Sequence, residues 1–98
     1  MNHPICRVRS FEIVAPHRLR VCFDDDTERT IDFRPILAGD LYGPLRNLEL
    51  FNQVRIDPDA DTLVWPNGAD FDPATLHEWS ANEAAFRELA RRWEAVEA

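Results

Sequence analysis

The residues of this chain most able to do chemistry are its clustered carboxylates. Asp57, Asp59 and Asp61 alternate along one turn signal, and Asp70 and Asp72 follow a short apolar run later. Alternating aspartates are what a calcium loop supplies, because Ca²⁺ prefers a shell of several oxygens. A calcium loop opening at Asp57 would also need Gly at its sixth position and Glu at its twelfth. Those positions hold Thr62 and Gly68, and Pro58 stiffens the start, so a hairpin turn with solvated carboxylates is the better reading. His3-x-x-Cys6 brings two soft donors, but no second pair follows at zinc spacing, and no metal or cofactor is expected. Cys6 and Cys22 fall on strand-like runs, and Ser10 and Ser80 lack the sharp elbow that exposes a nucleophile. Gly39, Gly43 and Gly68 are too scattered to cradle a phosphate. No catalytic residue is assigned, and the expectation is a protein that is not an enzyme.

What remains is the stretch Trp65-Pro66-Asn67-Gly68-Ala69-Asp70-Phe71-Asp72-Pro73. Pro66 presets φ for a turn, Asn67 tolerates unusual backbone angles, and Gly68 supplies positive φ without a Cβ penalty. Asp72 before Pro73 is a helix start: the carboxylate accepts free N–H groups, and Pro at the first position has none to lose. The stretch therefore reads first as a tight strand–turn–helix. Its functional reading is a binding surface made of Trp65, Asn67, Gly68, Asp70 and Asp72, joined by Asp59 and Asp61 from the neighbouring turn.

Charge narrows the partners. The net charge is −7, with eleven Arg and no Lys. Residues 1–49 hold seven Arg against eight acids, a net of −1, whereas residues 50–98 hold four Arg against ten acids, a net of −6. From Asp57 to Glu83 the only basic side chain is His77. Binding to a phosphate backbone leans on basic side chains, so nucleic acid is disfavoured there and a basic protein is the expected partner. The one cationic alternative is a sheet face carrying Arg7, Arg9, Arg18 and Arg20, which would serve an accessory DNA-binding regulator. The competing reading is a wet sheet face whose arginines pair with Glu12, Glu28 and Asp32. No apolar run approaches the length that crosses a bilayer, no signal-like N-terminus is present, and two cysteines make no disulfide framework, so a cytoplasmic protein is expected.

The elements that must position these groups read as an α+β fold. Strands are expected at 5–14, 18–23 and 28–33 in an antiparallel meander, then short helices at 34–39 and 44–48, a second β-hairpin at 53–57 and 62–65, and a C-terminal helix from Ala81 to Glu94. Val8 and Phe11 have opposite parity, which a bulge near Arg9-Ser10 would repair. The expected core is Leu19, Val21, Phe23, Ile31, Phe33, Leu45, Phe51, Val54, Ile56, Val64 and Leu76, with Val8, Phe11 and Ile13 from the first strand. Ser80 and Glu83 fit a capping box. Phe86, Leu89 and Trp93 form a stripe that would pack on the domain or complete a homodimer. The organisation expected is a small α+β domain over 1–79 and an amphipathic helix over 80–98.

Several of these residues recur together in a known pattern. Leu19-x-Val21-x-Phe23-x-Asp25, Asp32-Phe33-x-Pro35-Ile36-Leu37, Pro44-Leu45-Arg46, Leu50-Phe51 and above all Trp65-Pro66-Asn67-Gly68-Ala69-Asp70 resemble the bacterial family called domain of unknown function 2442. The family's second hairpin turn usually carries Asp-Gly, where this chain has Asp25-Asp26. The resemblance implies a small α+β domain with no enzymatic activity. It also implies that some members stand beside a second small protein in toxin–antitoxin-like gene pairs, which makes an antitoxin-like interaction module the first functional expectation.

Overall fold

Strict alternation of Leu19, Val21 and Phe23 with Arg18, Arg20 and Cys22 makes β2 (Arg18–Phe23) the centre of a three-stranded antiparallel sheet. It is flanked by β1 (Val8–Ala15) and β3 (Glu28–Asp32). The computed structural model describes residues 6–97, with side chains through Trp93; the expected strand start at Ile5, and His3, lie outside them. The register between β1 and β2 steps between Val8 and Ser10, so Arg9 occupies the bulge that the sequence parity required. Val8 opposite Phe23 and Phe11 opposite Val21 then share the core face. Ile13 opposes Leu19 on that same face but is 43% exposed, contrary to expectation. It stands on an edge strand, where the covering segments do not reach. At the β2–β3 turn, Asp26 donates its N–H to Phe23 O and has φ of 68°. This is the left-handed region, a conformation Asp tolerates better than most residues.

After β3 the chain differs from the expected pair of helices. Arg34–Ile36 is one 3₁₀ turn, and α1 (Gly39–Tyr42) begins at the glycine that was expected to end a helix. Gly43–Arg46 is a second 3₁₀ turn, and α2 (Leu48–Phe51) follows, capped by Asn47, whose side chain accepts from the N–H groups of Glu49 and Leu50. β4 (Arg55–Asp57) and β5 (Thr62–Val64) form a two-stranded hairpin. Arg55 opposes Val64 and Ile56 opposes Leu63, so Ile56 and Val64 face opposite ways and cannot both point inward. Leu63 is the fully buried one, Ile56 packs at the core margin, and Val64 is half-buried. Three-residue strands carry too little alternation to set parity, and a one-residue slip reverses it.

α3 (Pro73–His77) starts where Asp72 accepts from Ala74 N–H at 2.8 Å. α4 (Trp79–Glu97) begins one residue before Ser80, so Ser80 lies inside the first turn instead of capping it, and Glu83 pairs with Arg87. Phe86 stacks on Trp79 and meets Phe71, Ala90 is buried, and Trp93 lies over Gly39 and near Tyr42. Thus Phe86, Ala90 and Trp93 form the packed stripe of α4, while Leu89 is 40% exposed. The core around Phe33 is largely aromatic, with Phe51, Trp65, Phe71 and Trp79 all at centroid distances of 5.4–6.0 Å.

Two glycines have positive φ for different reasons. Gly68 (φ 91°) has open space where a Cβ would go, whereas a Cβ on Gly39 (φ 80°) would sit 3.1 Å from the Trp93 ring. Gly68→Ala therefore costs only backbone strain, about 1 kcal/mol. Gly39→Ala adds displacement of Trp93 and costs roughly 2 kcal/mol or more. Denaturant unfolding of the two variants checks this; equal losses would mean that Trp93 gives way freely.

Candidate functional site: the Trp65–Asp72 loop and the acidic end of the sheet

Trp65 is buried, and its indole N–H donates to Phe51 O at 2.9 Å. Trp65 N–H donates to Ala69 O, and Gly68 N–H donates to Trp65 O, which closes the turn. Asn67 works on both sides of it. Its Oδ1 accepts from Ala69 N–H at 3.2 Å, and its Nδ2 donates to Leu41 O at 2.9 Å, tying the loop to α1. Tyr42 Oη donates to Asp70 O at 2.9 Å from the same helix. Within the loop, Trp65 and Ala69 are buried, while Asn67, Gly68, the Asp70 side chain and Asp72 are exposed.

The chain then doubles back. Asp70 bridges Val64, and Thr62 Oγ1 donates to Phe71 O, so residues 70–72 run antiparallel beside β5. The two acidic segments were expected to leave opposite ends of the strand. Instead, the fold-back returns Asp72 to the end where Asp61 lies. Asp61, with φ of 54°, accepts from Val8 N–H at 2.9 Å, and its carboxylate stands 3.5 Å from the Arg7 guanidinium. Asp59 is exposed in the same turn, its N–H donating to the Asp57 carboxylate.

Sequence reasoning did not foresee that the β2–β3 turn joins this end. His77 lies between two carboxylates: Nε2 is 2.8 Å from Asp25 Oδ2 and Nδ1 is 3.1 Å from Glu78 Oε2. Its ring edge meets Phe23, and its carbonyl accepts from Arg29 Nε at 2.8 Å. Asp25 and Glu78 hold the imidazolium, so the His77 pKa lies above its ordinary value although partial burial opposes this. The Asp25 pKa is lowered to about 2, first by the Thr27 N–H and hydroxyl and then by His77. Half-buried Cys6 reports the sum of the fields: its thiol pKa is raised by burial first and then by Asp25, Glu78, Asp24 and Asp72. A raised pKa keeps the thiol protonated, the reverse of what nucleophilic activation needs. Among the described residues, no group of three or more His, Cys, Asp or Glu is placed to hold a metal ion.

The arginines of the open sheet face meet carboxylates. Arg20 pairs with Glu12, Arg18 stands 3.5 Å from Asp32, and Arg9 stands 3.0 Å from Asp26. Glu28, expected among their partners, contributes only its carbonyl, to Arg29.

The arrangement, with the Trp-Pro-Asn-Gly turn anchored by buried Trp65 at its centre, coincides with a known sequence family. Residues 8–82 match the model described as Protein of unknown function (DUF2442). The chain belongs to the DUF2442 family. Comparisons with curated proteins and with solved structures give no match. The DUF2442 match covers all five strands, α1 to α3 and the first turn of α4. No described helix of this DUF2442 protein is long and apolar enough to cross a membrane.

The His77 bridge makes stability depend on pH. A raised His77 pKa contributes stability that is complete below the unfolded value of about 6.5 and disappears as pH rises through the folded value. The depressed Asp25 pKa contributes stability present above about 4 and lost as pH falls toward about 2. Both contributions hold between roughly pH 4 and 6.5. Thermal unfolding of wild type and His77→Gln across pH should show a larger gap near pH 5.5 than near pH 9. Parallel curves would show that His77 is not held as a cation.

Proposed function

We propose that this DUF2442 chain is a non-enzymatic interaction module whose acidic end docks a basic partner protein, as the antitoxin-like member of a two-gene pair would. The observation that carries this reading is the convergence of carboxylates from separate segments on one end of the fold: Asp25 and Glu78 both bond the His77 ring, and residues 70–72 double back beside β5. The fold-back of residues 70–72 brings Asp72 there, from a segment distant in sequence from Asp24 and Asp25. Carboxylates within a screening length of about 8 Å at physiological salt add their fields, and a field of one sign speeds the approach of an oppositely charged surface. His77 and Arg7 offset part of this charge, while Asp59 and Asp70 extend it. In this reading Trp65, Asn67 and Gly68 hold the acidic segments in place, and Asp59, Asp61, Asp70 and Asp72 face the partner.

Duplex DNA binding through the sheet arginines has less support, because Arg9, Arg18 and Arg20 each stand beside a carboxylate. Phosphate contacts there would first have to displace those partners.

The product of the adjacent gene is the first partner to test. Its association rate should fall as salt rises. Asp24→Asn, Asp59→Asn and Asp72→Asn together should slow it several-fold with little change in dissociation. Asn at 72 keeps the helix cap, so folding is preserved. A rate indifferent to both salt and the triple change would remove the proposal, and a mobility shift of duplex DNA at low salt would favour the alternative.

A further inference from the structure

The order β1-β2-β3 puts β1 and β3 at the two edges of the larger sheet. The β3 edge is flanked by α3, whose last residue, His77, accepts from Arg29 Nε through its carbonyl. The β1 edge is different. In an antiparallel ladder each residue turns its N–H and C=O to one side, and the side alternates along the strand. Asp24 N–H donates to Arg7 O at 3.1 Å, so Asp24 faces β1, as do Cys22 and Arg20 before it. Their partners Ser10 and Glu12 face β2 in return. Phe11 and Ile13 therefore direct their N–H and C=O groups away from the sheet, along its edge. Val8 N–H points to the same side and donates to Asp61 O at 2.9 Å, so the β4–β5 turn reaches the edge there. Farther along β1, Glu12, Ile13 and Val14 are exposed. Ile13 and Val14 are β-branched and apolar, and they stand in succession on an edge where charge or proline is the usual guard.

This edge is complementary to itself. Antiparallel pairing about a two-fold axis perpendicular to the sheet keeps every residue on its own face, so opposed residues must share a face. Phe11 and Ile13 meet that condition: both lie on the core face, in the regular run between the register steps at Arg9 and Val14. With the axis at Glu12, Phe11 of one copy opposes Ile13 of the other, and the reverse. Each such pair exchanges N–H···O bonds in both directions. Each also lays an aromatic ring against a β-branched side chain, a favourable cross-strand combination, and takes the exposed Ile13 out of water. The two Glu12 side chains meet across the axis on the wet face, where like charges oppose pairing. Arg20 pairs with Glu12 within each copy, so a guanidinium flanks each carboxylate. The apolar stripe of α4 is engaged within the chain, since Phe86 stacks on Trp79 and Trp93 lies over Gly39.

We propose that β1 is a self-association edge that pairs antiparallel with β1 of a second copy about an axis at Glu12, joining the two sheets into one. The contact spans only Ser10 to Val14, well below a standard interface, so the dimer is weak, with a dissociation constant on the order of 0.1 mM. It stands independently of the basic partner proposed for the acidic end.

Sedimentation of the purified chain from micromolar to millimolar concentration should show a monomer passing to a dimer. Amide exchange over the same range should show Phe11 and Ile13 gaining protection with concentration, while Ser10 and Glu12, which face β2 in either state, do not change. Ile13→Lys alters an exposed position, so folding is preserved, and it should weaken the dimer by about tenfold or more. Glu12→Gln removes the like charges at the axis and should tighten the dimer roughly two- to fivefold. Leu89→Lys, on the exposed side of α4, should leave it unchanged. A chain that stays monomeric throughout, a dimer indifferent to Ile13→Lys or not tightened by Glu12→Gln, or one broken by Leu89→Lys would overturn the proposal. So would protection of Phe11 and Ile13 that appears only when the adjacent gene's product is added, which would give the edge to that partner.

Discussion

The indole N–H of Trp65, donated to the carbonyl of Phe51 in the core, is the contact on which the rest of this structure depends. It joins the second hairpin to α2, whose Phe51 side chain in turn touches Phe33 and His17. A buried carbonyl that loses its donor incurs a desolvation penalty of about 1–3 kcal/mol. The same tryptophan also supplies one wall of the aromatic cluster around Phe33. Few positions in a chain of 98 residues tie a sheet, a helix and a loop together with one side chain. The turn after it is then committed: Asn67 reaches Leu41, and Tyr42 reaches Asp70.

That commitment links structure to surface. Because Trp65 and Ala69 close the turn, residues 70–72 have to run back along β5, and Asp72 reaches the helix start at α3. His77, at the end of α3, then meets Asp25 in the sheet. The acidic end is thus a consequence of the loop's closure as much as of composition. The two ends of the sheet differ in how their charges are held. At the acidic end a histidine is held as a cation by carboxylates from two segments. At the other end buried His17 donates to the carbonyls of Leu45 and Arg46.

Much of the framework was legible in the sequence because it rests on local rules. The alternation of Leu19, Val21 and Phe23, the parity break near Arg9, the Asp72-Pro73 helix start and the Trp-Pro-Asn-Gly turn each have a mechanism within a few residues. What was not legible depended on contacts between distant segments. Ile13 has core parity but stands beyond the covering layer. Leu63 rather than Val64 is buried because the 58–61 turn sets the register of a hairpin too short to show its own pattern. Gly39 stands at the start of α1, where its φ is 80° and Trp93, far along the chain, occupies the space a Cβ would take. The roles of His17 and His77 gave no local signal either: each lies in or beside a turn, and its partners come from elsewhere in the chain.

The central claim is that Trp65 couples the hairpin, α2 and the signature loop into one cooperative unit. Trp65→Phe tests it most directly, since the ring keeps most of its apolar bulk and loses the donor to Phe51 O. Equilibrium unfolding followed together with amide exchange should show a loss of roughly 2–4 kcal/mol. Protection should fall together at Ala69, Asn52 and the amides of β2, because opening any one of them then opens all. A loss below about 0.5 kcal/mol, or weakened protection confined to the 65–69 turn, would show that the indole bond is local and that the unit is held by something else.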